Sequence, residues 1–351
     1  MPAYNGEKTL GDSIDSILNQ DYESIQLIVI DDASKDKTFD VANARKPQGN
    51  ITSYEVLKHE TNLGLSATLN QGVRACKGDY VVVLHQDCVL ADRSWITNAL
   101  EYFANSRVAV VTGYYGIPPN RLCFTAKAFG VFRRQYHAQN FKRVEEETAF
   151  SEGKCDVYRK DILDKIGGFP ERFRIAGEDL YVSYEIRRSG YMILKSYKLP
   201  VVQKFGSSAD TLSKNLRKEF IFGKAMGGVF PILKTFLFNR INMSQYSKTR
   251  SLQRATQPLF VVFFLLSLLL AAIFQSTLLL FLGLAVLAAR YSFYVGMIWN
   301  ELLRMSNVFH KQAGFSFLEA LVIAALGIIS DFVYTFGFGY GLALYFVGAR
   351  L

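Results

Sequence analysis

Acidic residues follow two apolar runs of the chain, and a third acidic pair precedes a predicted helix. The run "LIVID" ends in Asp31 and leads to Asp32, and "YVVVL" leads to "HQD", which ends in Asp87. The third pair is Glu178 and Asp179 in "AGEDL". A single acid at such a place is commonly a cap or turn residue. Three sets at the ends of elements of one sheet converge on one crevice and favour a divalent cation, Mg²⁺ or Mn²⁺, with phosphate in its shell.

The segments between these acids predict an α/β fold with a mostly parallel sheet. Short apolar runs alternate with "KTLGDSIDSILNQ" and "LSATLNQGVRAC", in which apolar residues recur three and four positions apart. This alternation is typical of βαβ units. The stretch "GEDLYVSYEIRRSGYMIL" predicts a helix that ends at Gly190 and leads into another strand, so Asp179 is expected at a helix N-terminus. No full strand precedes "NGEKTL", so the first strand is expected to be missing.

The composition changes after Arg254. The 351-residue chain has a formal net charge of +9, and its first part mixes charged and apolar residues in globular proportions. Three apolar segments follow, at 258–274, 277–299 and 315–347. Each is long enough to cross a membrane. The third is longer than a hydrocarbon core requires, which leaves open a tilt, a break at Gly337–Gly341 or a second crossing.

The distribution of charge predicts a multi-pass protein of the cell membrane. Basic residues stand just before the apolar segments, at Lys234, Arg240, Lys248, Arg250 and Arg254. Such residues favour the cytoplasmic face and anionic membrane lipids, so the globular part is expected in the cytoplasm. Nucleic acid is not expected as a partner, because no basic-aromatic reading motif is present. The cysteines lack paired spacing and predict free thiols.

Several motifs occur in order from Pro2 to Tyr191: "PAYNGEKTL", "IVIDDASKDKT", "NLGLSATLNQG", "KGDYVVVLHQD", "GGFPERF" and "GEDLYVSYEIRRSGY". They resemble the successive motifs of family 2 glycosyltransferases, which have a GT-A fold. The resemblance implies a catalytic domain at 1–210, followed by an interfacial connector of amphipathic helices at 211–255 and a helical transmembrane domain at 256–351. A helix packed on the globular part is the alternative for the connector.

The resemblance also implies a nucleotide-sugar site. Tyr4 would stack on the nucleobase, Asp32 would hydrogen-bond it, and Asn62, Gly64 and Asn70 would lie near the ribose and diphosphate. The full set implied to bind the donor is Pro2, Tyr4, Asn5, Asp31, Asp32, Asn62, Gly64, Asn70 and Gln86.

The metal and catalytic residues follow from the same resemblance. Asp87 matches the last acid of the metal-binding DxD motif, and Asp179, beside Glu178, matches the catalytic base of the "ED" motif. The first acid of DxD is replaced by His85. His85 is a candidate second ligand, although a histidine at a strand end more commonly only forms hydrogen bonds.

Two further groups of charges invite hypotheses. Arg290 and Asp331 lie within the apolar segments, where charges are costly, and we expect them to pair. The alternative is direct handling of a lipid headgroup. The basic residues Arg121, Lys127, Arg133, Arg134, Lys142 and Arg143 form either a solvated face or a flap that meets lipid phosphate.

Taken together, these features predict a membrane-bound glycosyltransferase. It would transfer a sugar from a nucleotide-diphosphate donor, UDP being the commonest in the family, to a lipid-linked acceptor such as polyprenyl phosphate or a lipid-linked saccharide. One alternative is a processive polysaccharide synthase, although "KNLRKEF" has Arg217 without the Gln and Trp of "QxxRW". The others are a noncatalytic nucleotide-binding membrane scaffold and a nucleotidyltransferase.

Overall fold

The computed structural model describes the chain at residues 1–46, 49–115, 124–125, 128–129, 144–203, 211–238, 245–308 and 317–349. Up to residue 203 these residues form an α/β part with two sheets, and from residue 211 onward they form long helices. The change from strands to helices, between Gln203 and Leu212, thus precedes the change of composition after Arg254.

The first sheet is parallel, with the strand order β1-β2-β3. Its strands are β1 (Pro2–Ala3), β2 (Ile25–Asp31) and β3 (Ile51–Lys58). Ala3 lies opposite Asp31, and the amide of Asp32 donates to the carbonyl of Ala3 at 2.8 Å. The first strand, which the sequence predicts to be missing, is therefore present as two residues. Because β1 and β2 end at the same level, the residues that follow them lie side by side.

The second sheet has the order β4-β8-β6-β9-β5, with β7 paired to β9. Its strands are β4 (Tyr80–Leu84), β5 (Cys88–Leu90), β6 (Val108–Tyr115), β7 (Glu145–Glu147), β8 (Cys155–Arg159) and β9 (Met192–Gln203). Only β6 and β9 pair in parallel here, while the other pairs are antiparallel. The predicted parallel pairing is thus concentrated in the first sheet. Strands buried on both faces have the same apolar composition whichever direction their neighbours run.

Amphipathic helices join the two sheets into one core. The helices of this part are α1 (Leu10–Leu18), α2 (Thr38–Asn43), α3 (Leu65–Ala75), α4 (Trp95–Glu101), α5 (Lys160–Lys165) and α6 (Glu178–Arg188). Leu10, Ile14 and Ile17 form one buried face of α1 and share a cluster with Val29 of β2 and Leu84 of β4. Burial of each such side chain contributes about 1.5–3 kcal/mol.

Helix α6 is held in place by its own apolar face. Val182 and Ile186 are buried in a second cluster with Leu69 of α3 and Tyr158 of β8. The helix begins at Glu178 after Gly177, whose φ of +100° suits glycine, and it is followed by Gly190 with a φ of +86°. The acids of "GED" therefore lie at a helix N-terminus, as the sequence predicts.

The C-terminal part consists of α7 (Leu212–Phe238), α8 (Gln245–Ile273), α9 (Thr277–Val308) and α10 (Phe317–Phe346). Among the described residues, three helices are long and apolar enough to cross a membrane, at Thr256–Ile273, Thr277–Trp299 and Leu318–Phe346. The last of these is continuous, so the chain neither breaks nor turns back at Gly337–Gly341. Helix α8 runs without interruption across the boundary that the sequence predicts at residue 255.

Glycines allow α7 and α10 to cross at backbone contact. A Cβ atom on Gly227 would overlap the carbonyl oxygen of Phe338, and one on Gly341 would overlap that of Lys224. Small residues at a helix–helix interface let the two backbones approach closely. Helix α7 therefore packs against the last apolar helix. The sequence analysis expected it either in the membrane interface or against the globular part, and neither expectation includes this contact.

The expected pairing of Arg290 with Asp331 is confirmed. Arg290 Nε donates to Asp331 Oδ2 at 2.7 Å, and the carboxylate is fully buried. Its other oxygen accepts hydrogen bonds from Gln257 at 2.8 Å and from the Tyr294 hydroxyl at 2.5 Å. The cluster thus joins α8, α9 and α10 through one satisfied carboxylate.

We expect Asp331→Asn to destabilise the detergent-purified protein by about 3–5 kcal/mol, because the buried guanidinium would lose its counter-ion. The double variant Arg290→Gln/Asp331→Asn should lose less than the sum of the two single variants. Thermal unfolding would measure both effects, with Asp40→Asn, which removes an exposed carboxylate of α2, as the control. Additive losses would contradict a coupled pair.

Candidate active site

The loop after β1 lies against the "HQD" loop after β4. The side chain of Gln86 accepts a hydrogen bond from the Tyr4 amide at 2.8 Å and donates one to the Tyr4 carbonyl at 2.9 Å. Asn5, with a φ of +50°, accepts from the Lys35 amide at 2.9 Å. The side-chain amide of Gln86 is thus hydrogen-bonded within the chain and positions Tyr4. Its contact with the donor stays a prediction. The Tyr4 side chain itself is 44% exposed.

The two adjacent acids after β2 have different surroundings. Asp32 Oδ1 accepts from the Leu63 amide at 2.7 Å, Oδ2 accepts from the Gly64 amide at 2.9 Å, and His59 Nδ1 lies 2.8 Å from Oδ1. Asp31 Oδ1 accepts from Ser34, whereas its buried Oδ2 has no hydrogen-bond partner among the described residues. The structure thus uses Asp32, which the resemblance assigns to the nucleobase, to fix the loop at 62–64. Asp31 retains an oxygen for a ligand.

The loop at 62–64 is also held from its other side. Arg174 Nη2 donates to the Asn62 carbonyl at 2.6 Å, and the Leu65 amide donates to the Arg174 carbonyl at 2.7 Å. Gly64 has a φ of +95°, and a Cβ atom there would lie 3.0 Å from the Arg174 carbonyl oxygen. Glycine is therefore required by both conformation and space.

Asn70 holds two segments of the chain together, a structural role that the sequence analysis did not predict. Its Nδ2 donates to the Phe169 carbonyl at 2.7 Å, and its Oδ1 accepts from the Phe169 amide at 2.8 Å. Nδ2 also contacts Glu171. The amide group is consequently occupied on both sides, and Asn70 attaches the "GGFPERF" turn to α3.

The "HQD" loop presents one charged carboxylate. Asp87 Oδ2 accepts from Gln203 Nε2 at 2.8 Å. Burial raises the pKa of Asp87, but the positive charge of Lys154 and the hydrogen bond from Gln203 more than offset this effect. The pKa therefore lies below its usual value, and the group is ionised at neutral pH.

His85 is neutral at neutral pH. Burial lowers the pKa of His85 to about 4, against the opposing charge of Asp87. Its Nε2 atom is buried without a hydrogen-bond partner in the described part of the chain. A neutral imidazole is the form that binds metals.

These residues fit a cation that arrives with a diphosphate. No group of three or more metal-ligating side chains occurs among the described residues, so the protein does not hold a complete cage there. Asp87 supplies one carboxylate, with the orphaned Nε2 of His85 in the same loop. Mg²⁺ is commonly bound by one or two carboxylates, with phosphate and water completing the shell. His85 as a second ligand stays a prediction.

The adjacent acids of α6 also differ from each other. Glu178 is 5% exposed, and its Oε2 has no hydrogen-bond partner in the described ranges. Burial, reinforced by the charge of Asp179, raises the pKa of Glu178 well above its usual value. Asp179 is half-buried, and its Oδ1 accepts from the Leu180 amide at 2.8 Å. Asp179 is therefore the better placed of the two to act as a charged base.

The loop at 151–154 connects the two acidic centres. His85 donates its amide hydrogen to the Lys154 carbonyl at 2.9 Å. Gly153 packs on Asp179, because a Cβ atom at this glycine would lie 3.1 Å from Asp179 Oδ2. The Gly153 amide donates to Asp156, a buried acid whose pKa burial raises to about 7. The predicted metal and base residues thus lie at opposite ends of one short loop.

The start of α6 rests on the C-terminal helices. A Cβ atom on Gly177 would lie 3.2 Å from Val229 and 3.4 Å from Ala225, both in α7. The Arg172 guanidinium stacks on Tyr181 of α6 and on Tyr345 of α10. The predicted base therefore lies where the α/β part meets the apolar helices.

Sequence reasoning missed several residues of the site. His59, Lys154 and Arg174 follow no periodic pattern, since their contacts join segments that are distant in the chain. Asp156 had a detectable signal, because it is an acid inside the apolar stretch "CDVY". The proposed basic flap, with Arg133 and Arg134, lies outside the described residues.

Comparison with known sequences finds similarity to glycosyltransferases. Residues 1–167 match the sequence model of Glycosyl transferase family 2. The chain is 28% identical over 199 residues to the O-antigen chain rhamnosyltransferase RfbN of Salmonella typhimurium. It is 26% identical over 200 residues to the O-antigen chain rhamnosyltransferase WbaN of Salmonella anatum. Each alignment covers 55% of this chain and 61% of the relative, so the chain matches about three fifths of their length.

A solved structure shows the same fold. The mannosyltransferase PcManGT from Pyrobaculum calidifontis, in complex with GDP-Man and Mn²⁺, superposes with a TM-score of 0.55 at 17% identity. The superposition covers 95% of this chain and 85% of that chain, so it extends into the C-terminal helices. Residues 1–167 thus resemble glycosyltransferase family 2 in sequence, and the predicted GT-A fold is confirmed.

We expect Asn70→Ala to destabilise the protein by about 1–3 kcal/mol, because the buried amide and carbonyl of Phe169 would lose their partner. Thermal unfolding in detergent would measure this loss. Asn43→Ala, in the exposed face of α2, is the matched control. Unchanged stability together with weakened nucleotide binding would instead support the diphosphate contact that the resemblance implies.

Proposed function

We propose that this protein is a membrane-bound glycosyltransferase that transfers one sugar from a nucleoside-diphosphate donor to a lipid-linked acceptor. The observation that carries the proposal is the position of α6. The residue that precedes the helix, Gly177, contacts α7, and α7 lies along the apolar helix α10. The base that we assign, Asp179, is therefore close to the place from which a lipid would supply its headgroup.

The donor end of the site is assigned to the loops after β1 and β2. Tyr4 is exposed and held at its backbone by Gln86, which suits a ring that stacks on a nucleobase. Asp31 Oδ2 is the unpartnered acceptor for a base N–H. The loop at 62–64, fixed by Asp32 and Arg174, forms the wall beside the ribose. The bound GDP-Man of the solved relative supports a donor of this chemical class.

The proposed reaction is an in-line displacement with inversion. The bond between the sugar C1 and the diphosphate oxygen breaks, and its electron pair remains on that oxygen. The acceptor oxygen attacks C1 from the opposite face, and Asp179 takes the proton of an acceptor hydroxyl. A divalent cation held by Asp87 supplies Lewis acidity for the diphosphate. If the acceptor is a phosphate, no proton needs removal and Asp179 only orients it.

The acceptor is assigned from the surroundings of α6. Ile175, two residues before Gly177, is 64% exposed, and Arg172, three positions earlier in the chain, stacks on Tyr345 near the end of α10. An apolar side chain and a cation next to apolar helices suit a membrane surface with phosphate headgroups. Polyprenyl phosphate and lipid-linked saccharides both combine an apolar chain with a phosphate group. The rhamnosyltransferase names of two relatives make a 6-deoxyhexose donor the first to test.

We expect Asp179→Asn to reduce sugar transfer to an acceptor hydroxyl by about 10²–10⁴-fold, because proton transfer contributes this much when a positioned side chain performs it. Transfer to polyprenyl phosphate, which has no proton to lose, should fall less. The assay uses the full chain in detergent with labelled nucleotide sugars, Mn²⁺ or Mg²⁺, and membrane lipid extract or polyprenyl phosphate. Asp164→Asn, an exposed acid of α5, is the control and should retain full activity.

The phase that contains the product separates the alternatives. Labelled product in the organic phase that depends on Asp179 supports a lipid acceptor. Product in the aqueous phase contradicts the lipid acceptor but keeps the glycosyltransferase. If no metal supports either sugar transfer or donor hydrolysis, the enzymatic function is overturned and the noncatalytic scaffold is favoured. Release of pyrophosphate would instead identify a nucleotidyltransferase.

A further inference from the structure

Lys154 lies between the two acids that the proposed reaction uses. Strands β4 and β8 pair antiparallel with Leu84 opposite Cys155, so His85 and Lys154 continue from the same end of this pair. Their backbones are joined by the 2.9 Å hydrogen bond from His85 to Lys154. The preceding residue, Gly153, packs on Asp179. This position places a cation in the loop that spans the reaction centre.

The charge of Lys154 influences the "HQD" loop. Lys154 is half-buried, and after burial it has the largest influence on the pKa of Asp87, which it lowers. The neighbouring acid, Glu152, forms a salt bridge with Lys195 at 2.8 Å. The loop at 151–154 thus brings a basic residue to the same end of β4 as Asp87.

The "HQD" sequence creates a need for such a cation. Asp87 is the only carboxylate of this motif, and a divalent ion held by one protein carboxylate depends on the diphosphate for most of its shell. The leaving diphosphate gains negative charge as the bond to the sugar breaks. A positioned ammonium stabilises such charge as a metal ion does, without needing a coordination shell.

We propose that Lys154 is a donor-binding residue whose ammonium contacts the diphosphate and shares charge stabilisation with the divalent cation. This inference rests on the proposed function. When no donor is bound, Lys154 and the cation compete for Asp87, because both are positive. When the donor is bound, the diphosphate accepts both cations. Removal of the charge therefore has opposite effects on the binding of nucleotide and of metal.

The test measures these two affinities separately on the full chain in detergent. Calorimetry with UDP, GDP and dTDP in the presence of EDTA gives nucleotide binding, and electron paramagnetic resonance of added Mn²⁺ without nucleotide gives metal binding. We expect Lys154→Gln to weaken metal-free nucleotide binding about tenfold, since hydrogen bonds to charged groups have this effect. The same variant should bind Mn²⁺ about three- to tenfold more tightly.

Two variants serve as controls. Lys154→Arg keeps the charge and should retain metal-free nucleotide binding. Lys77→Gln removes an exposed charge before the opposite end of β4 and should leave both affinities unchanged. A general loss of fold in Lys154→Gln would weaken Mn²⁺ binding as well, so tighter Mn²⁺ binding distinguishes the proposal from misfolding.

The possible failures are distinguishable. If the wild-type protein binds nucleotide only with metal, or if Lys154→Gln binds both ligands as the wild type does, the role of Lys154 is overturned while the proposed function stands. If the wild-type protein binds none of the nucleotides with or without Mn²⁺, the proposed function itself fails.

Discussion

The segment from Phe169 to Gly177 connects all parts of the candidate site. Asn70 holds its beginning on α3, Arg174 clamps the loop at Asn62, and Gly177 rests on α7. None of these contacts is strong alone, since a net hydrogen bond contributes about 0.5–1.5 kcal/mol. Together they fix the loop at 62–64, the start of α6 and the apolar helices relative to one another. Displacement of this segment would therefore move the loop at 62–64 and the start of α6 together.

Each adjacent pair of acids divides its work between structure and chemistry. Two neighbouring carboxylates at one strand end or helix start repel each other, so their environments must differ. Asp32 accepts backbone amides of its neighbouring loop, whereas Asp31 Oδ2 stays unpartnered within the described residues. Glu178 is buried and has a raised pKa, which leaves the charge to Asp179. The two acids of each adjacent pair thus lie in different surroundings.

The C-terminal helices use two kinds of contact that do not depend on the hydrophobic effect. The glycines of α7 and α10 permit backbone contact, and the Arg290–Asp331 cluster joins three helices through directed hydrogen bonds. In lipid, where apolar side chains gain little by leaving the solvent, close packing and polar contacts provide the specificity. The fixed pair of α7 and α10 gives α6 a rigid support, because the residue before α6, Gly177, contacts α7.

The sequence by itself predicted the resemblance to family 2 glycosyltransferases, the α/β class, the membrane-length segments, the Arg290–Asp331 pair and the acidic positions. These depend on periodicity, local composition and motif spacing, which are properties of short stretches. Only the tertiary structure decided which hydrogen bonds each carboxylate of an adjacent pair accepts. It also decided that Asn70 and Gln86 hold neighbouring loops and that Lys154 adjoins His85. These facts depend on contacts between residues far apart in the chain, such as the 82 positions between Tyr4 and Gln86, which no local pattern encodes.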